Sequence, residues 1–256
     1  MIINSRVFGK SDNKLIILHG FLGSLDNWIT IAKKISDLGF EVHIVDQRNH
    51  GKSFHSENHS YELMALDLKN YIEHFHIDKA SIIGHSMGGK TACYFALNHS
   101  NMVDKLIIVD ILPIKYKKDY NMIFKALSTI DLNSISNRFD IDNHLKKFFK
   151  DELFISFLSK NLVRSKEGNF RFKCNLSSLI NNIDNILDQI NSNIFYEGKT
   201  FFIKGLNSDY ITDQGLKRTK MLFPNYNLIH VEEGGHWLHH EKQKDFFDIC
   251  KELLTT

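Results

Sequence analysis

Gly84-His85-Ser86-Met87-Gly88-Gly89 follows directly on an apolar, β-branched run, Ala80-Ser81-Ile82-Ile83, and opens a stretch from Lys90 to Leu97 with helical character. Strand, then G-x-S-x-G, then helix is the layout of a nucleophile elbow. So tight a turn forces the serine into a strained backbone conformation, and glycines flank it because a Cβ there would strike the neighbouring strand or helix. The strain lifts the Ser86 hydroxyl clear of the sheet edge. It also sets the Met87 amide at a helix N-terminus, where partial positive charge favours an anion.

Outward from this turn, the first half of the chain alternates strands and helices. Leu15-Ile16-Ile17-Leu18, Val42-His43-Ile44-Val45 and Leu106-Ile107-Ile108-Val109 read as buried strands. Trp28 to Leu38 reads as a helix, and a second is expected after a Ser60 cap, with Met64, Ala65, Leu68, Ile72 and Phe75 repeating at spacings of three and four. Continuous apolar strands between helices predict an α/β fold with a mostly parallel sheet covered on both faces. From about Leu112 to Asn193 no strand is expected, and residues such as Phe124, Leu127, Phe149, Phe157 and Leu179 suggest a set of helices. The rhythm then returns with strands at Thr200–Ile203 and Leu228–Val231 and helices at Leu216–Leu222 and Phe246–Leu254. The expected organisation is therefore a core of residues 1–111 and 194–256, interrupted by a helical cap, residues 112–193.

Bulk composition narrows the function classes. With 256 residues, 43% of them apolar, the chain can bury a large core. Its 32 basic and 30 acidic residues nearly cancel, which gives no reason to expect a nucleic-acid partner. No apolar run reaches the ~20 residues of a membrane span, and the N-terminus lacks the pattern of a secretory signal. Cys93, Cys174 and Cys250 are odd in number and far apart, which fits reduced thiols in a cytoplasmic protein better than a disulfide frame or zinc site. The cap holds 13 basic and 9 acidic residues, which reads as a solvated surface in preference to an anion trap.

A serine hydroxyl needs a base to take its proton and a third group to orient that base. Among 14 histidines, His236 in Glu233-Gly234-Gly235-His236-Trp237 follows the last expected strand. Active-site groups gather at the carboxyl ends of strands in such sheets. Both Ser86 and His236 satisfy that rule. His230, His239 and His240 read as structural or solvated. Two carboxylates compete for the orienting role: Asp110, at the end of the strand Leu106–Val109, and Asp209, after the strand that begins at Thr200. Position favours Asp110, with Ser208 as an extra hydrogen-bond partner. An oxyanion hole needs two amides. Met87 supplies one, and Phe21, in the loop His19-Gly20-Phe21-Leu22-Gly23-Ser24, is the candidate for the other. His19 is expected to brace that loop. Asp46-Gln47-Arg48-Asn49-His50-Gly51-Lys52-Ser53 reads as a turn held by Asp46 and Arg48, not as a catalytic motif.

The set H-G-F-L-G-S-x-D-N-W, D-x-R-N-H-G-x-S, G-H-S-M-G-G-K, V-D-I-x-P and G-G-H-W resembles the YbfF-type acyl-ester esterases of the α/β-hydrolase superfamily, over nearly the whole chain. The resemblance implies an α/β-hydrolase fold and a cytosolic enzyme acting on short acyl esters and, in some members, acyl-CoA thioesters. It implies Ser86, His236 and Asp110 as a catalytic triad with no metal or organic cofactor, a small-molecule substrate, and a serine where Ser208 stands. Asp209 departs from the pattern, at a place expected to be non-acidic. Two rival readings remain: a lyase resembling the menaquinone-pathway enzyme that eliminates pyruvate, which would need an arginine-rich pocket, and a non-catalytic ligand-binding protein on the same scaffold.

Overall fold

A computed structural model describes residues 1–165 and 168–256. Its larger sheet has seven strands: β1 (Ser5–Phe8), β2 (Lys14–Leu18), β3 (Glu41–Val45), β4 (Ala80–His85), β5 (Val103–Val109), β8 (Lys199–Gly205) and β9 (Tyr226–Val231), in the order β1-β3-β2-β4-β5-β8-β9. All pairings are parallel except β1 with β3. The antiparallel edge strand β1 is absent from the sequence reading because Ser5-Arg6-Val7-Phe8 has no apolar run, and its middle residues face solvent.

Strand periodicity divides the core. In β2, Ile16 and Leu18 join the cluster under the helices α2 (Tyr61–His74) and α3 (Met87–Asn98). Leu15 and Ile17 point the other way, into the cluster of Trp28, Ile31, Ile35, Phe246 and Leu253 from α1 (Ile29–Ser36) and α11 (Gln243–Thr255) and the turn before α1. A strand buried on both faces must be apolar throughout, as these are. Ser60 caps α2 by accepting from the Leu63 amide, as its type and place predict. The expected helix Trp28–Leu38 is shorter: Leu25–Trp28 forms a 3-10 turn, and α1 proper ends at Ser36, ahead of a left-handed Gly39.

Because β8 pairs directly with β5, everything between them leaves the sheet and returns. That excursion holds α4 (Asn121–Ser128), α5 (Arg138–Leu145), α6 (Glu152–Ser159), α7 (Leu176–Asn181) and α8 (Ile183–Leu187). It also holds a short antiparallel ribbon, β6 (Leu162–Arg164) with β7 (Phe170–Phe172), which corrects the expectation of no strand there. Three-residue strands carry too little alternation to be read from sequence. The excursion builds its own apolar cluster around Leu127, Ile141, Leu145 and Leu158, and borrows Phe21, Leu22, Tyr61, Met64 and Met87 from the sheet domain. After β8 the chain adds α9 (Asp213–Leu222), and α10 (Leu238–Glu241) lies between β9 and α11.

Candidate active site

The elbow forms where the sequence places it. Ser86 sits between β4 and α3 with φ 51° and ψ −120°, a backbone conformation that few side-chain-bearing residues adopt. Its amide is tied to the Val109 carbonyl at 3.1 Å, which fixes the turn against β5. The glycines permit the crossing: a Cβ on Gly84 would lie 2.4 Å from the Gly88 oxygen, and one on Gly88 2.4 Å from the Leu18 oxygen.

The three residues singled out for a triad come together. The Ser86 hydroxyl lies 3.1 Å from His236 Nε2, and His236 Nδ1 lies 2.8 Å from Asp110 Oδ2. A carboxylate accepts only, so Nδ1 carries the proton and Nε2 presents its lone pair to the serine. Asp110 is wholly buried, with a positive φ of 49°, just past β5. Its other oxygen accepts from the Gly205 amide at 3.1 Å. Ser208 donates to Oδ2, the oxygen that faces His236. Asp209 turns away into an exposed ion pair with Lys118 at 2.6 Å, and the Lys118 hydrogen bond holds its carboxyl below the usual range. A shift of one residue thus separates a side chain in the network from one outside it.

The amides of Phe21 and Met87 donate to no group among the described residues. Met87 opens α3, so its N–H points out of the helix end. The Phe21 loop is braced by two buried histidines. His19 Nε2 accepts from the Gln47 amide at 3.0 Å, and His50 Nε2 accepts from the Leu22 amide at 3.2 Å. Burial pushes both histidines below their ordinary pKa, His50 strongly, which keeps them neutral acceptors. The turn after β3 is built as expected: Asp46 accepts from the Leu25 and Lys52 amides. Arg48 forms a two-point pair with Asp67 of α2, at 2.6 and 2.8 Å.

Two spaces open from Ser86. An outer cleft of about 150 Å³ is lined by His236, Lys118, Tyr120, Phe154, Phe157 and Trp237 among others. A narrow inner recess of about 20 Å³ runs past Met87 to Lys90, Tyr61, Tyr116 and Ile186.

With strand order, elbow and relay in view, the comparison with known proteins is decisive. Residues 13–243 match the family described as alpha/beta hydrolase fold. The chain belongs to the α/β-hydrolase family. A solved marine microorganism esterase superposes with a TM-score of 0.95 at 40% identity, covering 98% of each chain. The sn-1-specific diacylglycerol lipase ABHD11 of Danio rerio is 34% identical over 246 residues, 93% of this chain and 77% of its own. Esterase YbfF of Escherichia coli is 31% identical over 239 residues, 91% of this chain and 89% of its own. Such relatives place this α/β hydrolase among carboxylic ester hydrolases.

Sequence reasoning missed several groups that this α/β hydrolase brings to the site. Tyr210 stacks on the His236 ring, with centroids 3.8 Å apart and planes 13° from parallel. Lys118 lies 4.6 Å from the centroid of that tyrosine. His85, the variable residue inside the G-x-S-x-G motif, approaches the His236 carbonyl with Nε2 at 2.8 Å and so pins the backbone of the loop. Tyr210 had one available signal, an aromatic residue in the loop at the carboxyl end of β8. His85 had none beyond its place beside Ser86.

Proposed function

We propose that the protein is a serine esterase that hydrolyses short acyl esters, and acyl thioesters, through a covalent acyl-enzyme. The observation that carries this reading is the unbroken relay from Ser86 through His236 to buried Asp110, beside two unengaged amides. Ser86 Oγ attacks the acyl carbonyl as its proton passes to His236 Nε2. The Phe21 and Met87 amides hold the resulting oxyanion, and losing one such donor typically costs about 10²–10³ in rate. The tetrahedral adduct collapses, the bond to the alcohol or thiol breaks, and His236 returns the proton to that leaving group. Water then gives a proton to His236 and attacks the acyl carbonyl; as the second adduct collapses the bond to Ser86 Oγ breaks, His236 returns the proton to that oxygen, and the carboxylic acid leaves. Asp110 keeps His236 in the required tautomer and offsets the charge of the imidazolium. Residues 112–193 act as the cap that roofs the outer cleft. The lipase name of the zebrafish relative extends the candidate substrates to glycerol esters.

A lyase acting on a polyanion fits less well. Arg138 and Arg171 bond to the carbonyls of Ser159 and Phe172, Arg164 bonds to that of Ser136, and the outer cleft contains none of the three. The test is hydrolysis of a graded panel of p-nitrophenyl esters and acyl-CoAs by wild type, Ser86→Ala, Asp110→Asn and Asp209→Asn. The expected loss is about 10⁴–10⁶ in turnover for the first two variants, with Asp209→Asn active. An inactive Asp209→Asn beside an active Asp110→Asn would overturn the acid assignment. A wild type that cleaves no ester, and whose Ser86 resists a fluorophosphonate, would overturn the esterase reading.

A further inference from the structure

We infer that the inner recess receives the acyl group of the substrate and that Lys90 is the residue that sets how long that group can be. The inference rests on the esterase reading and starts from direction. The leaving oxygen or sulfur must receive its proton from His236, so the leaving group lies on the His236 side of Ser86. That side is the outer cleft, which His236 and Trp237 line. The acyl chain must then extend the other way, past Met87, into the recess, whose lining does not include His236.

Lys90 stands four residues after Ser86 on α3, one helical turn further into the protein. It is 1% exposed, an uncommon place for a lysine. Burial lowers its pKa from 10.5 to about 7, and the three protons of its charged form match three carbonyls: Ile114 and Ile186 at 3.2 Å each, and Asp188. The rings of Tyr61 and Tyr116 lie 4.8 and 5.5 Å from the same nitrogen. All three carbonyls belong to the excursion between β5 and β8, so this one side chain ties that excursion to the elbow helix. The hydroxyls around it are spent as well. Tyr61 donates to the Ile186 carbonyl at 2.7 Å, and Tyr116 donates to the Tyr210 carbonyl at 2.9 Å. A polar or charged acyl terminus would meet no free donor from Lys90, Tyr61 or Tyr116, whereas an apolar chain loses nothing there. The end of the recess is thus closed by a saturated polar knot and not by a soft apolar wall. Aliphatic floors yield by repacking. This one yields only if hydrogen bonds break, which gives a sharp length limit.

The experiment is a series of p-nitrophenyl esters from acetate to dodecanoate, read as kcat/KM for each chain length. In a pocket of this kind one methylene is worth roughly 10–200-fold. Lys90→Ala removes the floor, and the expected result is a shift of the optimum to longer chains, with the ratio of long to short substrates raised at least about tenfold. Since that variant also releases three carbonyls, Leu187→Trp is paired with it. Leu187 is a half-buried part of the recess lining, and a tryptophan there adds bulk to the recess while leaving Lys90 itself in place. Its optimum is expected to move to shorter chains. Phe157→Ala, in the outer cleft, is expected to change the dependence on the leaving alcohol and not on acyl length. An active wild type whose chain-length optimum is unmoved by Leu187→Trp, or moved by Phe157→Ala instead, would overturn the inference and leave the esterase reading standing. A wild type inert toward the whole series would overturn both.

Discussion

At the scale of single residues, Asp110 carries the most consequence. It is buried, pairs with no lysine or arginine among the described residues, and instead collects donors: the Gly205 amide, Ser208 and His236. A hydrogen bond to a charged group contributes about 1.5–3 kcal/mol. Ser208→Ala should therefore lower kcat about tenfold or more, with little change in KM, because Ser208 meets Asp110 and not the substrate. Steady-state kinetics with one good ester tests this, and an unchanged kcat would remove Ser208 from the mechanism. Residues of this kind differ in how legible they are. Ser86 announces itself through a motif whose glycines have a steric cause, and His236 and Asp110 through their places at strand ends. Tyr210 and His85 are silent in the sequence, because a stacked ring and a bond to a backbone carbonyl depend on how two distant loops meet.

Among elements, the contact between α3 and β2 sets the height of the elbow. Gly88 is what lets the helix descend, since a Cβ there would meet the Leu18 and His19 oxygens at 2.4 and 2.6 Å. Backbone oxygens cannot swing aside as a side-chain end can. Overpacking typically costs about 1–3 kcal/mol. Gly88→Ala should lower the thermal midpoint and displace the Met87 amide from the oxyanion, so activity falls further than stability. Calorimetry beside kinetics checks this; a variant as stable and as active as wild type would show that the helix tolerates a larger separation. Strands β2 to β5 were readable because both faces are buried and their apolar runs are continuous, and β8 and β9 by shorter apolar runs although β9 is only partly covered. The β6–β7 ribbon and edge strand β1 were not, since each is short or half-wet and takes its strand character from a partner. The excursion's helices were visible only as a group, because their apolar residues serve one another and also the sheet domain.

Over the whole molecule, the unusual feature is the number of buried histidines. His19, His43, His50, His59, His85 and His239 are each at most 5% exposed. Burial is the leading cause that lowers all six from 6.5, with His59 and His239 at about 3. Neutral in the fold, they take up protons in the unfolded chain below pH 6.5. Unfolding then binds protons, and stability falls with decreasing pH from about 6.5 toward about 3. Each group contributes up to about 1.4 kcal/mol per pH unit in that window. Thermal midpoints measured from neutral pH down to pH ~4 should therefore drop steeply, and His59→Asn should flatten the slope; a midpoint level across that range would refute this account.

The relay described above also has a bearing on biosynthesis. Ser86 and His236 are 150 residues apart in sequence, and His236 and Asp110 are 126 apart. Contacts this distant close late, after the strands between them have found their places. On the proposed mechanism, a chain that ends after β5 holds Ser86 and the Phe21 and Met87 amides but lacks the base, His236. On that mechanism the nucleophile stays unactivated until the loop after β9, which carries His236, joins the sheet.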